Sequence, residues 1–136
     1  MENLTVFILP SGGTKKSLKK LMDSFSGISC IFFILSNAES LLEQEINTEW
    51  YCFLYDNEWL EKDLTDFIPT LLKANQWDYY LIHKKVKIDG KNRFFIVPRI
   101  FREKVKLKAN DFTPLDTYLP YERVLEGWIL EEDRIA

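Results

Sequence analysis

The chain has 136 residues, 46% of them hydrophobic and 15% aromatic, so it has the length of one domain and can bury a core. Its net charge of −3 excludes a general nucleic-acid binder, which needs a basic excess to displace counterions from phosphates. No apolar run approaches the ~20 residues that a membrane span needs. Cys30 and Cys52 both lie in apolar runs, which predicts buried thiols and a cytoplasmic protein.

The first third of the chain predicts a strand, a helix and a second strand. The apolar run LTVFIL predicts a buried strand. The loop after it consists of Pro10, Ser11, Gly12 and Gly13. Thr14 is the predicted N-cap of an amphipathic helix that ends at Gly27, and the run ISCIFFIL predicts the next buried strand. This order predicts a βαβ unit with parallel strands.

The middle of the chain predicts a third buried strand, a second amphipathic helix and a hairpin. The strand is the run WYCFLY, from Trp50 to Tyr55, and a short helix capped by Ser40 precedes it. Pro69 lies inside the second amphipathic pattern, which predicts a late start or a kink in that helix. The pair Asp89-Gly90 between two β-type runs is a hairpin signal.

The end of the chain predicts an irregular segment and a helix. Pro120 precedes four apolar residues at helical spacing, namely Val124, Leu125, Trp128 and Ile129. We therefore predict one domain over residues 1–136, with an irregular and helical tail over residues 103–136. The predicted fold class is α/β, a small three-layer sandwich with a parallel, Rossmann-like sheet that an antiparallel hairpin extends.

Polar residues follow each predicted parallel strand, and ligands of open α/β sheets bind at the carboxyl ends of such strands. Asp56 and Glu58 follow the third strand and are separated by one residue, which predicts two hard oxygens for one Mg²⁺ or Mn²⁺. The alternative is ordinary strand termination. The loop PSGGTKKS does not match the nucleotide-binding pattern G-x-x-x-x-G-K-[ST], but Lys15 and Lys16 at a helix start leave contact with an anion open.

Three stretches resemble GT-A glycosyltransferases of the family-two type. TEWYCFLYDNEWLEKDLTDFIPTLL resembles the segment around their acidic metal-binding motif, and VPRIFREK resembles the strand that follows in many members. LTVFILPSGG is similar to their opening strand. The resemblance implies a GT-A-like domain that binds a nucleotide sugar. It implies a metal on Asp56 and Glu58, and nucleotide contacts from Pro10, Ser11, Gly12, Gly13 and Arg99.

The chain also departs from that family. Tyr55 stands where an aspartate often precedes the motif, the stretch before the motif is short, and no general base is assigned. Two functions therefore stay open. One is a shortened glycosyltransferase that binds a nucleotide sugar through a divalent metal. The other is a non-catalytic binding or assembly module, for example a phage structural or accessory protein associated with the virion. Its protein partner, or a second copy, would bind between Tyr118 and Leu130.

Overall fold

The computed structural model describes residues 3–135, which form one seven-stranded mixed sheet and two α helices. The strands are β1 (Leu4–Leu9), β2 (Cys30–Ile34), β3 (Trp50–Tyr55), β4 (Glu58–Leu60), β5 (Tyr79–Ile88), β6 (Lys91–Arg102) and β7 (Tyr121–Glu131). The helices are α1 (Lys15–Asp23), α2 (Lys62–Leu71) and a 3₁₀ helix (Ala38–Glu43). The strand order across the sheet is β2-β1-β3-β6-β5-β7-β4.

The predicted parallel unit is present at one side of the sheet. β1 lies between β2 and β3 and is parallel to both. The Thr14 side chain accepts a hydrogen bond from Ser17 N at 3.1 Å, which confirms the predicted cap of α1. α2 begins at Lys62, and Pro69 lies near its end. None of the helices within residues 3–135 has both the length and the apolar character needed to span a membrane.

The sheet has one helical face and one face covered by irregular chain, so the predicted three-layer sandwich is corrected. Both α helices pack on the same face, where Leu21 of α1 and Leu64 of α2 join the core around Val6. On the other face, the 3₁₀ helix and the segment 103–119 cover Phe7 and its neighbours. Parallel strands need apolar cover on both sides, and here a loop segment supplies the second side.

The sheet curls into a half-barrel because β4 leaves β3. After the turn at Asp56 and Asn57, β4 pairs antiparallel with β7 at the far end of the strand order. The backbone N–H of Tyr55 donates to Oε1 of Glu58 at 2.7 Å across this turn. β4, the last strand in this order, therefore lies next to the end of β3, at residues 55–58.

The predicted C-terminal helix is wrong, because residues 121–131 form the strand β7. β7 pairs in parallel with β5, and the register shifts so that residues 125–128 lie opposite His83 alone. This bulge brings Val124 and Ile129, five positions apart, into the same core. In a regular strand they would point to opposite faces. Because of the bulge, the apolar residues of the strand β7 are spaced as they would be in a helix.

Candidate functional site

Three loops meet at one rim of the sheet, as the predicted parallel strands require. They are residues 10–13 after β1, residues 35–39 after β2 and residues 56–57 after β3. Leu35 N donates to Ile8 O at 2.9 Å, and Asp56 N donates to Leu9 O at 2.9 Å. Pro10, Ser11 and Gly12 are exposed at this rim.

Asp56 binds the loop after β1 with its side chain and its backbone. Its Oδ1 accepts hydrogen bonds from the backbone N–H groups of Ser11 and Gly13, both at 2.9 Å. Its carbonyl accepts from Oγ of Ser17, in the first turn of α1, at 2.9 Å. A Cβ on Gly13 would lie 2.5 Å from the Asp56 carbonyl oxygen, so this close approach requires glycine. The loop, the start of α1 and Asp56 thus form one hydrogen-bonded unit.

Glu58 lies inside the half-barrel and not at the rim. Its residue is 0% exposed, and Arg99 donates to both oxygens, from NH1 to Oε1 at 2.7 Å and from NH2 to Oε2 at 3.0 Å. Lys84 also contacts Oε2, and it pairs with Glu131 Oε1 at 2.8 Å. Four strands, β4 to β7, each contribute one member of this buried charge cluster, in which two carboxylates face two cations.

The charge cluster keeps Glu58 ionised at neutral pH. Burial by itself raises the pKa of this carboxyl, but the charges and hydrogen bonds of Arg99 and Lys84 outweigh burial and lower the pKa to about 2. Burial lowers the pKa of Arg99, and the Glu58 carboxylate more than compensates, so the net pKa is raised. The Glu58 carboxylate and the Arg99 guanidinium therefore each stay ionised in the interior because the opposite charge lies beside them.

We expect stability to fall in acid more steeply than it would without Glu58. The pKa of this carboxyl is about 2 in the folded chain and 4.5 ordinarily, so below pH 4.5 the unfolded chain takes up the proton first. The stability from this group is present above pH 4.5 and is lost as pH falls toward 2. The shift corresponds to about 3 kcal/mol. Urea unfolding of the wild type and of the double variant Glu58→Leu/Arg99→Met between pH 7 and pH 2.5 measures it. If the free energy of unfolding fell equally with pH in the two proteins, the result would contradict the lowered pKa assigned to Glu58.

The structure separates the two carboxylates that the sequence predicts as one metal site. Glu58 does not fit a metal ligand, because both its oxygens already bind cations and its residue is fully buried. Asp56 fits, since both hydrogen bonds described for its side chain use Oδ1 and leave Oδ2 for another partner. Asn57 Oδ1 is buried and has no hydrogen-bond partner within residues 3–135. No group of three or more His, Cys, Asp or Glu within those residues has the arrangement of a metal site.

Arg99 and Arg102 have different surroundings, as their spacing along a strand predicts. Arg99 contacts Glu58 inside the half-barrel, whereas Arg102 donates from Nε to Trp77 O at 2.8 Å and lies over the Trp50 ring. Arg99 is thus bound to the acidic motif. The nucleotide contact that the family resemblance implies for Arg99 receives no geometric support at this buried position.

Sequence reasoning missed Lys84 and Glu131 as members of the charge cluster. Lys84 had a detectable signal, because it alternates with Ile82 and Val86 on β5, and both neighbours are buried. A period of two therefore places this lysine on the inner face. Glu131 had no such signal, since it ends an apolar run at a place where a solvated carboxylate is ordinary.

Comparison with known proteins gives little beyond a distant structural likeness. No family model matches the chain, and no curated protein matches it. One similar solved structure is the "crystal structure of a glycosyltransferase involved in the glycosylation of the major capsid of PBCV-1". The identity is 11% and the TM-score 0.38, over 73% of this chain and 59% of that chain. This chain therefore spans less than two thirds of that protein, and a likeness of this size carries no argument about activity.

Proposed function

We propose that the chain is a glycosyltransferase-like protein that binds a nucleotide sugar at the rim formed by residues 10–13 and Asp56. The observation that supports this proposal is the attachment of Asp56 to the loop after β1, through Ser11 N and Gly13 N. This attachment holds a carboxylate beside a glycine loop and the start of a helix, at the carboxyl ends of parallel strands, where α/β proteins bind nucleotides.

The diphosphate would lie at the start of α1. Lys15 and Lys16 are exposed in its first turn, and a helix N-terminus favours negative charge. A Mn²⁺ or Mg²⁺ ion, when bound, would neutralise charge on the diphosphate. Such ions accept one carboxylate together with phosphate and water oxygens. Asp56 Oδ2 is the oxygen of the motif that would hold it.

Glu58 has an indirect part in this proposal, as a positioning residue. Its Oε1 accepts from Tyr55 N, one residue before Asp56, and the same oxygen binds Arg99. The Arg99 guanidinium therefore fixes Glu58, and Glu58 fixes the turn that presents Asp56 to the rim.

We expect Mn²⁺ together with UDP, GDP or one of their sugar conjugates to raise the melting temperature of the wild type, and the Asp56→Asn variant to lose this response. Asparagine keeps an Oδ1 acceptor for Ser11 N and Gly13 N but removes the charge, so the loop keeps its shape while the metal and diphosphate lose their carboxylate. Thermal-shift titration with each nucleotide, with and without Mn²⁺, measures the response, and isothermal calorimetry gives the affinity.

Asp66→Asn is the matched control, because it removes one aspartate charge from the exposed surface of α2, away from the rim. This variant should respond to nucleotide as the wild type does. An equal response in Asp56→Asn and the wild type would overturn the proposed site, and no response to any nucleotide in the wild type would overturn the proposed function.

A second function, a non-catalytic binding or assembly module, is favoured by the burial of Glu58. One of the two acidic residues of the motif serves the interior, which leaves Asp56 as the single carboxylate of the motif at the rim. The partner surface predicted between Tyr118 and Leu130 is smaller than expected, because Val124 and Ile129 lie in the core. Leu125 is exposed and belongs to that surface. A flat nucleotide response with a concentration-dependent mass would support this function over the first.

A further inference from the structure

β6 extends well beyond the strand that flanks it on one side. From Lys91 to Phe101 it pairs with β5, with one register shift at Arg99, but β3 pairs only with Ile100, Phe101 and Arg102. Within residues 3–135, no strand pairs with residues 91–99 of β6 on the β3 side. This part of β6 is therefore an open sheet edge, and it does not depend on the proposed nucleotide rim.

The main chain of this edge carries unused hydrogen-bonding groups. Asp89 and Gly90 both have positive φ, 51° and 78°, so β5 and β6 are joined by a tight two-residue turn with Ile88 opposite Lys91. In such a hairpin the flanking pair is hydrogen-bonded, and bonded pairs then alternate. Lys91 and every second residue after it thus bond to β5. The N–H and C=O groups of the residues between them, Asn92, Phe94 and Ile96, point to the open edge.

The same edge exposes three consecutive apolar side chains. Phe94 is 60% exposed, Phe95 46% and Ile96 48%. Together with His83 and Trp128 they line an open groove of about 260 Å³. Soluble proteins normally protect an unpaired strand edge with charges, proline or a bulge, and the centre of this edge has none of these. Its first three residues, Lys91, Asn92 and Arg93, are polar, and Pro98 ends it.

We propose that two copies of this chain join through this edge, with residues 93–97 of β6 pairing antiparallel about a two-fold axis to form one continuous sheet. The edge is self-complementary in this arrangement. Pairing centred on Phe95 places the outward N–H and C=O groups of Phe94 opposite those of Ile96 in the second copy.

The charges of the hairpin constrain the orientation of the second copy. Antiparallel pairing centred on Phe95 sets Arg93 opposite Val97 of the second copy, so like charges are not opposed. The cationic hairpin ends, with Lys87 and Lys91, then lie at opposite ends of the shared strand pair. An extended strand also supplies what the open groups need, namely alternating donors and acceptors, which a helix or a lipid surface does not.

We expect sedimentation equilibrium to show a dimer for the wild type and a monomer for Phe94→Lys. Ile34→Lys is the matched control, because Ile34 is 62% exposed, lies on β2 at one end of the strand order, and receives the same charge. This control should remain dimeric. Phe94→Pro is a second variant, since it removes the outward N–H together with the ring and leaves the backbone pairing with β5 in place. It should also be monomeric, with an unchanged circular dichroism spectrum.

Hydrogen exchange separates strand pairing from mere contact of apolar side chains. In the dimer the backbone amides of Phe94 and Ile96 should exchange slowly with solvent. In the monomeric variant Phe94→Lys, the amide of Ile96 should exchange rapidly. A wild type that stays monomeric at every concentration overturns the proposal. So does a dimer that Ile34→Lys dissociates and Phe94→Lys does not, or a dimer in which both amides exchange rapidly. Nucleotide affinity is measured separately, so its failure leaves this result unaffected.

Discussion

Replacing Arg99 with methionine is expected to lower the free energy of unfolding by about 3 to 5 kcal/mol, the usual cost of leaving a buried charge without its partner. Glu58 is fully buried, and Arg99 supplies a bidentate pair to it. Methionine keeps much of the volume but removes the charge and the donors. Lys84 then remains in contact with Glu58. Urea unfolding at pH 7 measures the loss.

A second ion pair in the same chain provides the control for burial. Lys62 Nζ and Asp66 Oδ2 are 2.7 Å apart, the same distance as Arg99 NH1 and Glu58 Oε1, but both side chains of the first pair are exposed. Lys62→Met should therefore change stability little, because water and salt screen an exposed pair. An Arg99→Met loss no larger than the Lys62→Met loss would contradict the assigned role.

The double variant Glu58→Leu/Arg99→Met tests whether the cost comes from an orphaned charge. Removing both partners leaves no isolated ion between them, so we expect this variant to be more stable than Arg99→Met alone. If the double variant is less stable than the wild type by the sum of the losses measured for Glu58→Leu and for Arg99→Met, the two residues do not act as a pair.

Gly127→Ala is expected to lower the free energy of unfolding by about 3 kcal/mol through two costs, left-handed backbone and overpacking. Gly127 lies in the bulge of β7 with φ +72°. A Cβ there would lie 2.4 Å from the backbone nitrogen of Leu64 and 2.8 Å from its Cβ. Leu64 is in the first turn of α2, and this backbone cannot yield without moving the helix off β7.

Gly27→Ala isolates the backbone cost, because Gly27 also has positive φ, +86°, but nothing lies within 4 Å of the position that a Cβ would take there. We expect this control to lose about 1 kcal/mol from the left-handed conformation alone. Chemical unfolding of both variants under the same conditions measures the difference. Equal losses would show that contact between β7 and α2 is looser than the structure indicates.

The sequence by itself determined the features that depend on near neighbours. Thr14 caps α1 because its side chain reaches an N–H three residues away, and Asp89-Gly90 turns the chain because both residues accept positive φ. The rim was also predictable. Once β1 and β3 are parallel, the loops that hold Gly13 and Asp56 must leave the sheet at the same edge. The structure adds the hydrogen bond between these two residues.

Only the tertiary structure decided where Glu58 and β7 lie. Asp56 and Glu58 are two residues apart, yet one faces the rim and the other the interior, because β4 pairs with β7, some seventy positions later in the chain. At the bulge around Gly127, β7 pairs with β5 and lies against Leu64 of α2. Such long-range pairing leaves no local periodicity. The sequence therefore predicted a metal ligand at Glu58 and a helix after Pro120, where the fold has a buried ion pair and a strand.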